Sequence, residues 1–220
     1  MSLAPGGPWA LRPLPFPAVA SARVVIFDLG GVLIDWDPRY LYRQLIEDEA
    51  AMEDFLGRVC TQAWNELQDA GRPVAEATAA LAAEHPECAH LIAAYYGRFD
   101  EMMQGAFEDT VAVLDELDRR GVPLFALSNF SAEMFRHARR RFGFLARFRD
   151  VLLSGEERLL KPDPRFYRLL LDRHRIDPEE AVFVDDRPHN VDAAGALGMT
   201  GLLFRGAGDL RRELGALGLL

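Results

Sequence analysis

The sequence predicts an α/β protein: a parallel sheet with helices on both faces, and a separate all-helical unit set into it. Three observations carry this. From residue 106 onward, short apolar runs alternate with amphipathic helical stretches, and such alternation requires crossover helices on both faces of a parallel sheet. From Asp37 the pattern turns helical, and nothing in 37–105 reads as a strand. The charge is divided in the same place. Residues 35–105 hold 14 acidic and 5 basic residues, and the rest holds 20 of each, so the whole net charge of −9 falls in that stretch. With 220 residues, half of them hydrophobic, the chain is long enough for one domain plus an insert.

Taken in order, residues 1–22 carry five prolines, at Pro5, Pro8, Pro13, Pro15 and Pro17, with Gly6 and Gly7. No periodicity survives that spacing, so an N-terminal arm is expected. Its last residues, VASA, resemble a leader cleavage site, but a basic start is lacking and prolines break the apolar stretch. Arg23–Asp28 (RVVIFD) reads as a buried strand ending in a carboxylate. From Asp37 the residues Leu41, Leu45, Met52, Leu56 and Val59 mark one helix face, and further helices fit 63–70, 74–84 and 89–103. Glu108 and Asp109 open a helix that Arg119, Arg120 and Gly121 close, with the polarity the helix dipole favours. Strand 122–127 (VPLFAL), helix 131–142 and a short strand 151–153 follow. Asp163 is a cap residue and Pro164 a first-turn residue for a helix to His174. Strand 181–185 (AVFVD), helix 188–197, strand 200–204 and a C-terminal helix complete the chain.

The acidic balance argues against nucleic acid or an anionic membrane surface as partner. No apolar run reaches the ~20 residues of a membrane helix. Cys60 and Cys88 build no disulfide framework, and the two cysteines and five histidines fit no zinc spacing. A reducing, cytoplasmic setting is the expectation.

Ligands of open parallel sheets bind outside the carboxyl ends of the strands. There the sequence places Asp28 after the first strand, Ser128–Asn129 after the second, Lys161 in the loop after the third, and Asp185–Asp186 after the fourth. Asp28 alone fits a turn cap, and Ser128–Asn129 fits ordinary turn chemistry. Adjacent carboxylates at a buried strand end, however, repel each other and call for a cation. Of the 25 basic residues 24 are arginine, and Lys161 is the single lysine. Such a lone lysine suits a position that rejects the larger guanidinium. Brought together, these groups equip a nucleophilic carboxylate, a hard divalent cation and an anionic substrate.

The run FDLGGVL with LSN (127–129), KPDPRFY (161–167) and FVDDRPHN (183–190) resembles the four ordered motifs of the haloacid dehalogenase superfamily across residues 23–204. The resemblance implies a Rossmann-like core of residues 23–35 and 106–220, with residues 36–105 as a helical cap inserted after the first motif. It also implies a Mg²⁺-dependent phosphatase acting on a small phosphoester through an aspartyl-phosphate. Asp28 would be the nucleophile. Asp28, the Gly30 carbonyl, Asp185 and Asp186 would hold the metal. Ser128, Asn129 and Lys161 would hold the transferring oxygens, and Asn190 would orient the carboxylate pair.

One position departs from the phosphatase pattern. Two residues after the nucleophile, phosphatases of this family usually carry an Asp that moves the leaving-group proton, and here Gly30 stands there. Positioned proton transfer is worth about 10²–10⁴-fold. Members resembling glucose-1-phosphatase share this glycine, which points to a sugar phosphate. Asp35, Asp37 and His189 are candidates for the missing proton donor. Trp36, Arg39, Tyr40, Trp64, Tyr95 and Tyr96 are candidates for choosing the substrate. Two alternatives stay open: a 2-haloacid dehalogenase, which also lacks the second Asp, and a member without turnover.

Overall fold

The computed structural model describes residues 23–220. The expected N-terminal arm, 1–22, lies outside them.

The chain runs β1 (Val24–Phe27), β2 (Ile34–Trp36), α1 (Arg39–Tyr42), α2 (Glu49–Arg58), α3 (Gln62–Asp69), α4 (Val74–Glu84), α5 (Ala89–Gly97) and β3 (Met103–Ala106). It continues through α6 (Glu108–Arg119), β4 (Leu124–Ser128), α7 (Ala132–Arg141), β5 (Asp150–Leu153) and α8 (Ser154–Glu157). α9 (Pro164–His174), β6 (Ala181–Asp185), α10 (Pro188–Gly195), β7 (Thr200–Leu203) and α11 (Ala207–Ala216) complete it. Five strands form one sheet in the order β5-β4-β1-β6-β7, every neighbouring pair parallel.

The sheet is buried on both sides, as its unbroken apolar runs require. Val25, Phe27, Ala126, Val182 and Val184 point to a core shared with α6 and α11. Their alternating neighbours Val24, Ile26, Phe125, Leu127 and Phe183 pack under α9 and α10. Register sets Phe27 opposite Ala126 on one side and Val184 on the other. Asp28, Ser128 and Asp185 therefore leave the sheet at the same edge. The Asp163 side chain accepts from the Arg165 backbone N–H at 2.9 Å, capping α9 as its sequence position indicates.

Residues 36–105 are less uniform than expected. The stretch read as one helix from Asp37 to Val59 is two, α1 and α2, and Asp48 caps the second by accepting from Ala51 N–H at 2.7 Å. The helix expected over 89–103 ends at Gly97, and β3 follows. β3 pairs antiparallel with β2, so two short strands join the helical segment to the sheet. Tertiary pairing overrides local periodicity here, because three- and four-residue strands carry too few positions to show an alternation. A short helix that the sequence pattern does not show, α8, follows β5 directly. No helix among the described residues is long and apolar enough to cross a membrane.

Candidate active site

A cavity of about 580 Å³ lies between the carboxyl edge of the sheet and the helical segment. The sheet side supplies Asp28, Gly30, Ser128, Asn129, Lys161, Asp186 and Asn190. Asp185 lies directly behind them, fully buried at the end of β6. Asp28, Gly30, Ser128, Asn129, Lys161, Asp185, Asp186 and Asn190 thus lie together in one place.

Asp28 is held on one oxygen. Its Oδ1 accepts from the Leu29 backbone N–H at 2.7 Å and from Ser128 Oγ at 2.9 Å, and lies 2.9 Å from Lys161 Nζ. Oδ2 takes none of these donors, so it is the oxygen left for reaction. Burial pushes the Asp28 carboxyl up to about 6; Lys161 opposes that rise and the Asp185 charge adds to it.

Lys161 is the hub. Its side chain is 1% exposed, and Nζ reaches Asp185 Oδ2 at 2.7 Å as well as Asp28. The ammonium also lies 5.5 Å from the centroid of the Phe183 ring. Burial disfavours its charge, but Asp28 and Asp185 together outweigh that and raise its pKa above the usual lysine range. Asn129 fixes the backbone at this point from both sides. Its Oδ1 accepts from Lys161 N–H at 2.8 Å and its Nδ2 donates to Lys161 C=O at 3.0 Å. The Asn129 side chain is therefore engaged, and its backbone N–H is the group left to meet a substrate.

The two carboxylates after β6 divide their tasks. Asp185 is saturated by protein: Oδ1 accepts from Arg187 N–H at 2.8 Å and Asn190 Nδ2 at 3.0 Å, and Oδ2 takes Lys161. Asp186 is half-exposed, and its nearest ion-pair partner, Arg187, is 3.9 Å away. Burial and the neighbouring Asp185 charge raise its pKa. Oxygens of Asp28, Asp185 and Asp186 all lie within 4.8 Å of one another. This hard, all-oxygen donor set suits Mg²⁺. Gly31 makes the arrangement possible: at φ 73°, an added Cβ would stand 2.6 Å from Asp186 Oδ2. Gly30 lies outside that left-handed region and has no atom within 4 Å of a built Cβ.

The opposite wall belongs largely to the helical segment. Trp36, Arg39, Tyr95 and Tyr96 line the cavity as expected, whereas Tyr40 and Trp64 do not. Tyr40 donates instead to Asp35 Oδ1 at 2.9 Å, and Asp35 stands outside the cavity wall. Trp64 packs edge-on against Tyr95, with ring centroids 5.2 Å apart. Of the other proton-donor candidates, Asp37 and His189 do line the cavity, but Asp37 Oδ1 accepts from the Arg39 backbone N–H at 2.8 Å and pairs with its guanidinium at 3.3 Å. Sequence reasoning missed Asn65, Asp69, Phe99 and Phe130 on this wall. One signal was available: the chain has three asparagines, and all three, Asn65, Asn129 and Asn190, line the cavity.

Comparison with known proteins agrees with this geometry. The chain is 26% identical to a sesquiterpene phosphatase of Aspergillus oryzae over 190 residues, covering 82% of this chain and 88% of that one. A (S)-2-haloacid dehalogenase of Pseudomonas sp. is 37% identical over 94 residues, 42% of this chain and 41% of that enzyme. An HAD family enzyme of Bacteroides thetaiotaomicron, solved as a magnesium complex, superposes with a TM-score of 0.66 at 21% identity, covering 86% of this chain and 95% of that one. The family model for haloacid dehalogenase-like hydrolases matches residues 22–198. On that match, spanning both the sheet and the helical segment, the chain is a hydrolase of the haloacid dehalogenase-like family.

Proposed function

We propose that this hydrolase is a Mg²⁺-dependent phosphatase of a small phosphorylated metabolite, working through an aspartyl-phosphate on Asp28. The observation that carries the reading is the asymmetry at Asp28: Oδ1 is fixed by three donors, Oδ2 takes none of them, and the carboxylate lines the cavity with Asp186. Oδ2 attacks phosphorus, and the bond from phosphorus to the leaving oxygen breaks on the far side. Water then hydrolyses the acyl phosphate and returns Asp28. Ser128, Lys161 and the Asn129 backbone N–H are the donors for the transferring oxygens. Catalysis of this kind is mostly positioning and charge neutralisation. Asp28, the Gly30 carbonyl and Asp186 would hold Mg²⁺, with Asp185 and Asn190 supporting them from behind. Bound there, the ion supplies the positive charge that offsets the phosphoryl oxygens.

In this reading residues 36–105 act as the cap that closes over the substrate. The core is then residues 23–35 and 106–220. The organic part of the substrate occupies the wall of Tyr95, Tyr96, Phe99 and Phe130. Aromatic faces suit a sugar ring, as the glycine at position 30 suggests, and equally an apolar skeleton, as the sesquiterpene phosphatase relative suggests. Buried Cys60 and half-buried Cys88 are both free thiols, which suits the cytoplasm.

The test is phosphate release from a panel of sugar, terpenyl and aryl phosphates with and without Mg²⁺, with acid-quenched mass spectrometry for a phosphoryl adduct on Asp28. A second reading, 2-haloacid dehalogenase, has the Pseudomonas relative in its favour. Against it, Asp186 adds a carboxylate where a carboxylate substrate would have to sit. Metal-independent chloride release from 2-chloropropionate, with no phosphate release, would establish that second reading.

A further inference from the structure

An in-line displacement puts the leaving oxygen opposite the nucleophile. With Asp28 at the sheet edge, that oxygen faces the helical segment, and Gly30 offers it no proton. We propose that Asp69, at the end of α3, is the general acid that protonates the leaving oxygen; this inference rests on the phosphatase reading above.

Asp69 lines the cavity and is 9% exposed. A directed hydrogen-bond chain fixes which of its oxygens is available. The Trp64 carbonyl can only accept, so Gln68 must turn its Nε2 toward it. The same Nε2 donates to Tyr96 Oη at 3.2 Å. Tyr96 then donates its own hydrogen to Asn65 Oδ1 at 3.0 Å. That leaves Asn65 presenting Nδ2 to Asp69 Oδ2 at 2.8 Å, where Oδ2 must accept. A proton on Asp69 therefore belongs on Oδ1. The residue is anchored as well: its carbonyl accepts from Ser154 Oγ, which also accepts from Phe130 N–H at 2.9 Å. An acid must be held this firmly to serve a transition state.

The surroundings favour the protonated form. Glu66 on the same helix and the phenols of Tyr95 and Tyr96 on α5 lie around Asp69. Glu133 on α7 is engaged with the Val74 N–H at 2.9 Å. Arg158 packs against Gly71 nearby, but no ion pair reaches Asp69 among the described residues. Burial pushes the Asp69 carboxyl up to about 8, with Glu66 adding to the rise and the Ser131 N–H and Asn65 opposing it. Of the other acids of this wall, Glu53 is bound by Arg39 at 2.8 Å through Oε2, Asp37 accepts from the Arg39 backbone N–H at 2.8 Å, and Glu66 is exposed, so Asp69 is the buried one among them.

The wild-type enzyme should turn over alkyl phosphates below about pH 8 and lose that activity above it, while an aryl phosphate with a good leaving group keeps its rate. Asp69→Asn should lower kcat/KM for alkyl phosphates by about 10²-fold or more and for p-nitrophenyl phosphate by less than about threefold. The variant should also lose the alkaline limb and show a steep dependence on leaving-group pKa. Asp69→Glu, which restores an acid, should recover the shallow dependence. Equal losses on both substrate types, or a wild-type alkyl profile flat from pH 7 to 9, would overturn the assignment of Asp69 alone. The profile needs no variant, so it holds even if Asp69→Asn does not fold. Absence of any Mg²⁺-dependent phosphate release would overturn the phosphatase reading and this inference together. Loss of turnover in Asp28→Asn, with a normal leaving-group profile in the wild type, separates the two.

Discussion

Replacing Lys161 with methionine removes the one cation that sits between Asp28 and Asp185 while keeping most of the side-chain volume. The two carboxylates lie within 4.8 Å of each other. At that distance and an effective dielectric constant near 20, two unit charges repel by about 3.5 kcal/mol. That agrees with the roughly 3–5 kcal/mol usually lost when one partner of a buried pair is deleted. For a chain of this size, 1 kcal/mol corresponds to about 2–4 °C in melting temperature. Lys161→Met should therefore melt about 7–14 °C below the wild type at pH 8, as read by calorimetry. The deficit should shrink on acidification, and the sign follows from Asp28. Its folded pKa already stands near 6 against 3.8 unfolded, and loss of the ammonium raises it further. Through that window the folded variant binds a proton that the unfolded chain does not, so its stability falls as pH rises and recovers as pH drops. Mg²⁺ should also recover part of the loss by supplying a substitute charge. A variant that melts within 2 °C or so of the wild type at pH 8, or whose deficit is independent of pH, would refute the role of Lys161 as the charge that binds the two carboxylates together.

Lys161→Arg keeps the charge but forces a larger, planar group into a site where the side chain is 1% exposed; kcat/KM should fall at least about tenfold, measurable in the same phosphate-release assay. Asp28→Asn should abolish turnover yet melt no lower than the wild type at pH 7, since it removes a buried charge rather than a contact the fold depends on; a strongly destabilised variant would count against that. Asp186→Asn should weaken Mg²⁺ binding by calorimetric titration and abolish metal-dependent activity, and full retained activity would remove Asp186 from the metal site. Gly31→Ala should lose about 1 kcal/mol or more of stability together with Mg²⁺ affinity, because the left-handed backbone and the Asp186 carboxylate both resist a Cβ. Gly30→Ala, with nothing within 4 Å, should be close to neutral in stability, and similar losses at the two positions would contradict this geometry.

Much of this molecule is written locally. A parallel-sheet strand buried on both faces reads as an unbroken apolar run, so β1, β4 and β6 and the polar residues that end them are visible one segment at a time. A lone lysine in an arginine-using chain and two adjacent aspartates stand out for the same reason: their chemistry is unusual where they stand. Which of those groups binds which was decided only by tertiary structure. Asp185 and Asp186 look interchangeable in sequence, yet one is saturated by Lys161, Asn190 and the Arg187 N–H while the other is left to the cavity. Asn129 reads as a substrate ligand, yet its side chain clamps the Lys161 backbone. The short β2–β3 pair carries too little pattern to be read, because its pairing is set by what it joins. Asn65 and Asp69 occupy one helix face by their spacing, which any solvated helix could share. Only the docking of α3 against α8, where Ser154 holds the Asp69 carbonyl, turns that face toward Asp28's cavity and buries the carboxyl. Desolvation is a property of what surrounds a group in space, and so the acidity of Asp69 belongs to the fold and not to its segment.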